Sequence, residues 1–281
     1  MRTGTGQTRT GVAFSVRGSG PPVLWMSGYV VPVASFDAAL GQLAETFTVI
    51  AVDHRGSGAS RTRPLPTTTG TMAGDALSAL DHLGIDSAHV VGASLGGMVA
   101  QEVAIGWPHR VRSLVLCSTT AGGSGAKVPP LARLVDELAQ TARRVPGGVR
   151  FGPLGALHQA AAASSHDATR RLRLIQAPTL VIHGEKDQVV PVANATWLAS
   201  HVTGADLQVI PEGSHLLVLE SPAARIALHA WLEQHRGRLP VAAASELRRL
   251  RYLSAAPYRV LLGQSLPVRR VVRALRRGAL T

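Results

Sequence analysis

Seven short apolar runs alternate along this chain with longer stretches of helical periodicity, and that alternation restricts the fold more than any other feature. The runs lie at residues 12–16, 23–26, 48–52, 88–91, 113–117, 179–183 and 207–210. Each is rich in β-branched residues or Leu and is bounded by Gly, Pro, Asp or Ser, as strands are. Several are apolar throughout, the pattern of strands covered on both sheet faces. Between them, Phe36, Leu40 and Leu43 share one helical face of 36–45, and Ala76, Leu77, Leu80 and Leu83 share one of 72–83. Leu95, Val99 and Val103 do the same in 95–105. Pro191 and Pro222 each suit the first turn of a further helix, running to about residues 201 and 235. Strands alternating with helices of this length predict an α/β fold: a doubly wound, mostly parallel sheet with right-handed crossovers.

One stretch departs from the alternation. Residues 121–176 carry helical periodicity without a strand, open on Gly122-Gly123-Ser124-Gly125, and contain Pro129, Pro130, Pro146 and Pro153. They read as a small helical cap inserted between two core strands. The expected organisation is a core from 1–120 and 177–235, a cap at 121–176, and an Arg-rich C-terminal tail at 236–281.

Charge sets the tail apart. The formal net charge is +12, yet residues 236–281 hold eleven Arg against one acid, Glu246, while the rest holds eighteen basic and sixteen acidic side chains. In the tail Val268, Val271, Val272 and Leu275 fall on one helical face, and Arg269, Arg270, Arg273, Arg276 and Arg277 cover the other. Such a helix suits an anionic membrane surface, an acidic carrier protein, or packing on its own domain or on a homodimer mate. No nucleic-acid module accompanies the charge. No run approaches the ~20 apolar residues of a membrane helix. The opening residues, Met1 to Arg9, are polar and flexible in character and lack the apolar stretch of a secretory signal, so a cytoplasmic protein is expected. The single cysteine, Cys117, lies in an apolar run and reads as a buried small hydrophobe. No disulfide, metal or organic cofactor is expected.

The chemistry begins at Gly92-Ala93-Ser94-Leu95-Gly96-Gly97, which follows an apolar run and opens a helical stretch. A strand turning sharply into a helix throws its apex residue outward in a strained conformation, and needs small residues two positions to either side. Ser94 is that apex, with Gly92 and Gly96 as the small neighbours. The helix N-terminus adds partial positive charge near Ser94, and the Leu95 backbone N–H points where an oxyanion would form.

A serine hydroxyl needs a base, and the base needs an acceptor to orient it. With this type of turn the acid and then the His follow along the chain. Asp187, in Gly184-Glu185-Lys186-Asp187, sits in a loop at the carboxyl end of a strand, where open α/β sheets build their sites. Glu185 is the weaker alternative, and the loop 118–123 offers no acid. His215, in Gly213-Ser214-His215 after the last apolar run, is placed to reach back over the sheet. The other His residues, His183 among them, read as packing or surface groups, except His158 and His166 in the cap.

In this order the chain resembles the α/β-hydrolase superfamily over about residues 10–235, and within it the small-cap enol-lactonases and cofactor-free haloperoxidase-like esterases. Asp53-His54-Arg55-Gly56-Ser57-Gly58 resembles the family's D-x-R-G-x-G turn, and Trp107 to Leu116 resembles the stretch before its sixth strand. The resemblance implies a second oxyanion donor, the Tyr29 backbone N–H, in a loop where this chain has Ser27-Gly28 and many members have His-Gly. It also implies a structural role for residues 53–58, with Asp53 and Arg55 expected to pair.

The expected function is a serine hydrolase acting on a carboxylic ester, lactone or thioester through an acyl-enzyme. Ser94, His215 and Asp187 are its catalytic residues. Leu131, Leu134, Val135, Leu138, Val149, Phe151, Leu154 and Leu157 predict an aliphatic lining from the cap. Gly28, Phe151, Leu154 and His158 are taken as substrate-binding, and the cap arginines as solvated helix faces, with a clamp on a substrate carboxylate by one of them as the alternative. A non-hydrolytic acyltransferase, cyclase or lyase would share the same triad. A non-catalytic binding protein would not need it.

Overall fold

All seven expected strands are present, and an eighth precedes them. The computed structural model describes residues 2–62, 67–149 and 151–240. The N-terminal half runs β1 (Arg2–Gln7), β2 (Ala13–Gly18), β3 (Pro22–Met26), α1 (Asp37–Leu43), β4 (Thr48–Val52), α2 (Thr69–His82), β5 (Ala88–Ala93), α3 (Leu95–Gly106) and β6 (Val111–Cys117). Then come α4 (Leu131–Arg144), α5 (Pro153–Ser165), β7 (Thr179–Gly184), α6 (Ala193–His201), β8 (Asp206–Ile210), α7 (Leu217–Glu220) and α8 (Pro222–Gln234). The eight strands form one sheet in the order β1-β2-β4-β3-β5-β6-β7-β8. β2 pairs antiparallel with β1 and β4; every other pairing is parallel.

The apolar strands follow from the two-sided core. Along β3, Val23 and Trp25 join one layer with Phe36, Leu40, Leu228 and Trp231, while Leu24 and Met26 join the opposite layer with Met72, Leu80, Val99 and Val103. Successive side chains leave a strand on opposite faces, so a strand buried on both has no polar position to alternate with. Fully burying such side chains stabilises the fold by roughly 1.5–3 kcal/mol each.

Helix starts follow their capping residues. α8 begins at Pro222, with the Ser221 hydroxyl accepting from the Ala224 N–H at 3.2 Å. α2 begins three residues before the periodicity at Met72, because Thr68 forms a capping box with Thr71. α6 begins two residues beyond Pro191, at Ala193.

Two expectations need correction. Residues 2–7 are not an irregular polar lead but the edge strand β1, paired from Arg2↔Gly18 to Gln7↔Ala13. An exposed edge strand needs only backbone partners on one side, so its sequence can stay polar. Arg55 does not pair with Asp53; it forms a two-pronged ion pair with Asp75 at 2.5 and 2.7 Å. The Asp53 oxygens accept instead from the Val33 and Ala59 N–H groups, both at 2.8 Å. The basic helix expected at 268–277, with the membrane, carrier-protein and dimer surfaces read from it, lies outside the described residues. No described helix is long and apolar enough to cross a membrane.

Candidate active site

β5 ends at Ala93 and α3 starts at Leu95, leaving Ser94 alone in the turn at φ 54° and ψ −118°. A side chain with a Cβ seldom adopts positive φ, and hydrogen bonds to its backbone hold it there. The Ser94 N–H donates to the Cys117 carbonyl at 2.9 Å, and the Ser94 carbonyl accepts from the Gly97 N–H at 2.9 Å and the Thr119 hydroxyl at 2.7 Å. The turn also requires its flanking glycines. A Cβ on Gly92 would lie 2.2 Å from the Gly96 carbonyl oxygen, and one on Gly96 would lie 2.2 Å from that of Met26.

His215 and Asp187 arrive from two neighbouring loops. The Glu185 N–H donates to the Ile210 carbonyl at 3.0 Å and the Lys186 N–H to the Gly213 carbonyl at 2.9 Å, tying these loops together. His215 Nε2 lies 3.0 Å from Ser94 Oγ, and Nδ1 lies 2.8 Å from Asp187 Oδ2. Asp187 Oδ1 accepts from the Val189 and Val190 N–H groups at 2.9 and 2.8 Å. A carboxylate only accepts, so it selects the tautomer with hydrogen on Nδ1 and leaves the Nε2 lone pair facing the hydroxyl. His183 belongs to this group as well, although its sequence suggested only packing. Its Nε2 donates to the Val190 carbonyl at 2.8 Å and stands 3.3 Å from Asp187 Oδ2. The available signal was its place at a strand end, four residues before Asp187. Burial alone would raise the Asp187 carboxyl, but the charges and hydrogen bonds of His215 and His183 outweigh burial and hold it well below the usual carboxylate range.

The loop after β3 closes over the serine. Gly28 lies so near that a Cβ there would be 3.3 Å from Ser94 Cβ. Ser27 anchors the loop itself: its hydroxyl donates to the Val31 carbonyl at 2.7 Å, and its carbonyl accepts from His54 Nε2 at 3.1 Å. Burial pushes His54 down to about 4, so near neutral pH it is an uncharged donor. The Val30 N–H donates to Gln159 Oε1 at 2.8 Å, and the Tyr29 hydroxyl donates to the Ala156 carbonyl at 3.0 Å. The Tyr29 and Leu95 backbone N–H groups have no hydrogen-bond partner among the described residues.

Beside Ser94 and His215 lies a cavity of about 60 Å³, room for about four to six water-sized groups at roughly 10–15 Å³ each. Phe36, Leu138, Val149 and Leu216 give it an apolar wall, and Ser118 and Thr141 its further hydroxyls. Among the described residues, no Arg, Lys, Asp or Glu lines it.

A sequence profile described as alpha/beta hydrolase fold matches residues 24–177, over half of the chain. The chain belongs to the α/β-hydrolase fold family. A second profile, serine aminopeptidase S33, matches residues 152–222. The chain is 28% identical to 3-oxoadipate enol-lactonase 2 of Acinetobacter baylyi, over 73% of this chain and 85% of that protein. It is 30% identical to 2-hydroxymuconate semialdehyde hydrolase of a Pseudomonas species, over 75% of this chain and 85% of that protein. A thermophilic esterase from Thermogutta terrifontis superposes with a TM-score of 0.69 at 25% identity, covering 84% of this chain and 100% of the esterase. This α/β-hydrolase is an enzyme of hydrolytic type.

The hydrolase arranges its cap differently from the expected substrate contacts. Gly28, Leu138 and Val149 line the cavity; Phe151, Leu154 and His158 do not. Phe151 packs against Val30, Ala142 and Ala156, Leu154 is exposed, and His158 is half-buried. The cavity's roof is α4, whereas α5 faces the loop after β3. His166 is buried away from the cavity, 3.0 Å from Thr69 Oγ1 and 3.3 Å from Glu102 Oε1. Arg171 is not a solvated cap residue but pairs with that same Glu102 at 2.7 Å.

Proposed function

We propose that this α/β-hydrolase is a serine hydrolase that cleaves a carboxylic ester, lactone or thioester with a short, uncharged aliphatic acyl group. The observation that carries this reading is the continuous relay from Ser94 Oγ to His215 at 3.0 Å and from His215 to Asp187 at 2.8 Å. His215 Nε2 takes the hydroxyl proton as Ser94 Oγ attacks the carbonyl carbon. Asp187 orients the imidazole and stabilises its charged form. The Leu95 and Tyr29 N–H groups, without partners among the described residues, are the donors for the oxyanion. Collapse of the tetrahedral intermediate breaks the bond to the leaving group, which departs with the proton from His215. Water, deprotonated by His215, then attacks the acyl-enzyme, releases the acid and restores Ser94. The enol-lactonase and esterase relatives support ester and lactone substrates. The uncharged apolar wall supports an acyl group without a carboxylate, since a buried anion needs a paired cation.

A fluorophosphonate tests the nucleophile. Ser94 Oγ is expected to displace fluoride, so that the label maps to the peptide containing Ser94. Ser94→Ala should abolish labelling and lower turnover by ~10³ or more. In ¹⁸O-labelled water the released acid should carry one heavy oxygen, which separates hydrolysis from transfer or cyclisation. Full activity in Ser94→Ala would remove Ser94 from the mechanism.

A further inference from the structure

One cap side chain reaches the main chain of the loop that carries Tyr29, and the triad chemistry does not account for it. Gln159, on α5, is fully buried. Its Oε1 accepts from the Val30 N–H at 2.8 Å, and its Nε2 donates to the Arg55 carbonyl at 2.9 Å. A buried amide is tolerated only when its hydrogen bonds are made, and here both ends serve backbone groups of two separate loops. Val30 is where such help is needed. It is β-branched yet sits at φ 50°, a conformation that its branched Cβ strongly disfavours. The neighbouring Tyr29 is held by the same helix through its hydroxyl, at 3.0 Å from the Ala156 carbonyl. On its other side Gly28 is pressed against Ser94. The Tyr29–Val30 peptide is therefore fixed from outside the loop, by α5, in a shape the loop's own sequence resists.

We infer that Gln159 is a positioning residue: by pinning the Val30 N–H it holds the strained Tyr29–Val30 peptide and so sets where the Tyr29 N–H stands as oxyanion donor. This rests on the acyl-enzyme reading above. It makes α5 part of the catalytic centre, whereas α4 covers the cavity.

The test compares an ester with its thionoester, whose sulfur accepts hydrogen bonds poorly and profits little from an oxyanion hole. Matched p-nitrophenyl butanoate and p-nitrophenyl thionobutanoate are assayed with the full chain and with Gln159→Met, which keeps the length and removes both hydrogen bonds. The expected result is an ester kcat lowered about 10- to 100-fold, short of the ~10²–10³ for deleting a donor outright. KM should stay within about threefold, because the interaction acts in the transition state. The ester-to-thionoester rate ratio should fall toward that of the uncatalysed reaction. An unchanged ratio overturns the proposal, even where activity drops, since general loosening slows both substrates alike. If Gln159→Met lacks a cooperative thermal transition, Gln159→Asn carries the same test, keeping the polar group but falling one methylene short of Val30. Wild-type protein that neither turns over the ester nor takes the fluorophosphonate overturns the nucleophile reading. Turnover with an unchanged ratio in the variant overturns only the role of Gln159.

Discussion

Asp187→Asn probes the relay at its least forgiving point, because every oxygen of that carboxylate is in use. Oδ2 takes the His215 Nδ1–H at 2.8 Å and lies 3.3 Å from His183 Nε2, while Oδ1 takes two backbone N–H groups at 2.9 and 2.8 Å. An amide has one acceptor oxygen where the carboxylate has two. If its oxygen turns to His215, the Val189 and Val190 N–H groups face another donor, at roughly 1–3 kcal/mol for each buried group left unpaired. If its NH₂ turns to His215, those bonds survive and the imidazole adapts by moving its proton to Nε2. The second arrangement strands fewer donors, because His183 keeps its bond to the Val190 carbonyl. It also leaves Nε2 unable to take the Ser94 proton. The expected loss in kcat is ~10⁴, the scale of a wrong-tautomer histidine, or ~5.4 kcal/mol of barrier at ~1.36 kcal/mol per decade. KM should move little, since Asp187 does not line the cavity. Ester hydrolysis near pH 7, alongside a thermal melt to establish folding, measures both. A folded Asp187→Asn protein within about tenfold of wild type would refute the argument, because His215 would then be oriented by something else.

Other consequences concern stability. Burial raises the Glu102 carboxyl, but Arg171 and His166 outweigh it, so Glu102 sits below its ordinary 4.5, as Asp187 sits below its ordinary 3.8. A depressed folded-state value stabilises fully above the ordinary one and progressively less as pH falls through the folded one. The melting temperature should therefore drop on acidification below 4.5, and Glu102→Gln should make that acid limb shallower. An equally steep limb in the variant would refute the assignment. The Ser118 hydroxyl is buried without a hydrogen-bond partner among the described residues, so Ser118→Ala should leave stability unchanged or raise it by up to about 1 kcal/mol in denaturant unfolding. A loss larger than that would reveal a partner.

The sheet was legible because both faces are covered: runs such as Val23 to Met26 cannot be anything exposed. The sharp turn at Ser94 was legible for a local reason, since a strand, a Gly-flanked Ser and a helix follow one another within a few residues. Asp187 and His215 could be read from their strand-end positions and chain order. β1 was not legible, because an edge strand carries no apolar alternation. Nor were contacts that depend on which face of a cap helix turns inward. Leu138 and Val149 line the cavity while Phe151 and Leu154 do not, although Phe151 and Leu154 are the two expected to be substrate contacts. Gln159 lies 129 positions from Val30, and nothing near it in sequence marks its amide as bound for a backbone N–H. The Arg55–Asp75 pair was missed for a similar reason. The nearer Asp53 is the obvious partner until its oxygens are found to be taken by main-chain donors.

The cap leaves the sheet after β6 and returns at β7, and those two strands are hydrogen-bonded neighbours. Because they run parallel, the chain leaves one end of the sheet and re-enters at the other. The helical segment is nevertheless closed at its own base, where Gly122 pairs with Asp167 and the Ala168 N–H donates to the Ala121 carbonyl at 2.9 Å, so that it forms a lid that can be exchanged whole. Here the lid is keyed to the floor. A transplanted segment could copy the shape of α4 and accept a different acyl chain, yet it would also have to present an oxygen above residue 30. Grafts chosen for pocket shape alone should bind the intended substrate and turn it over slowly.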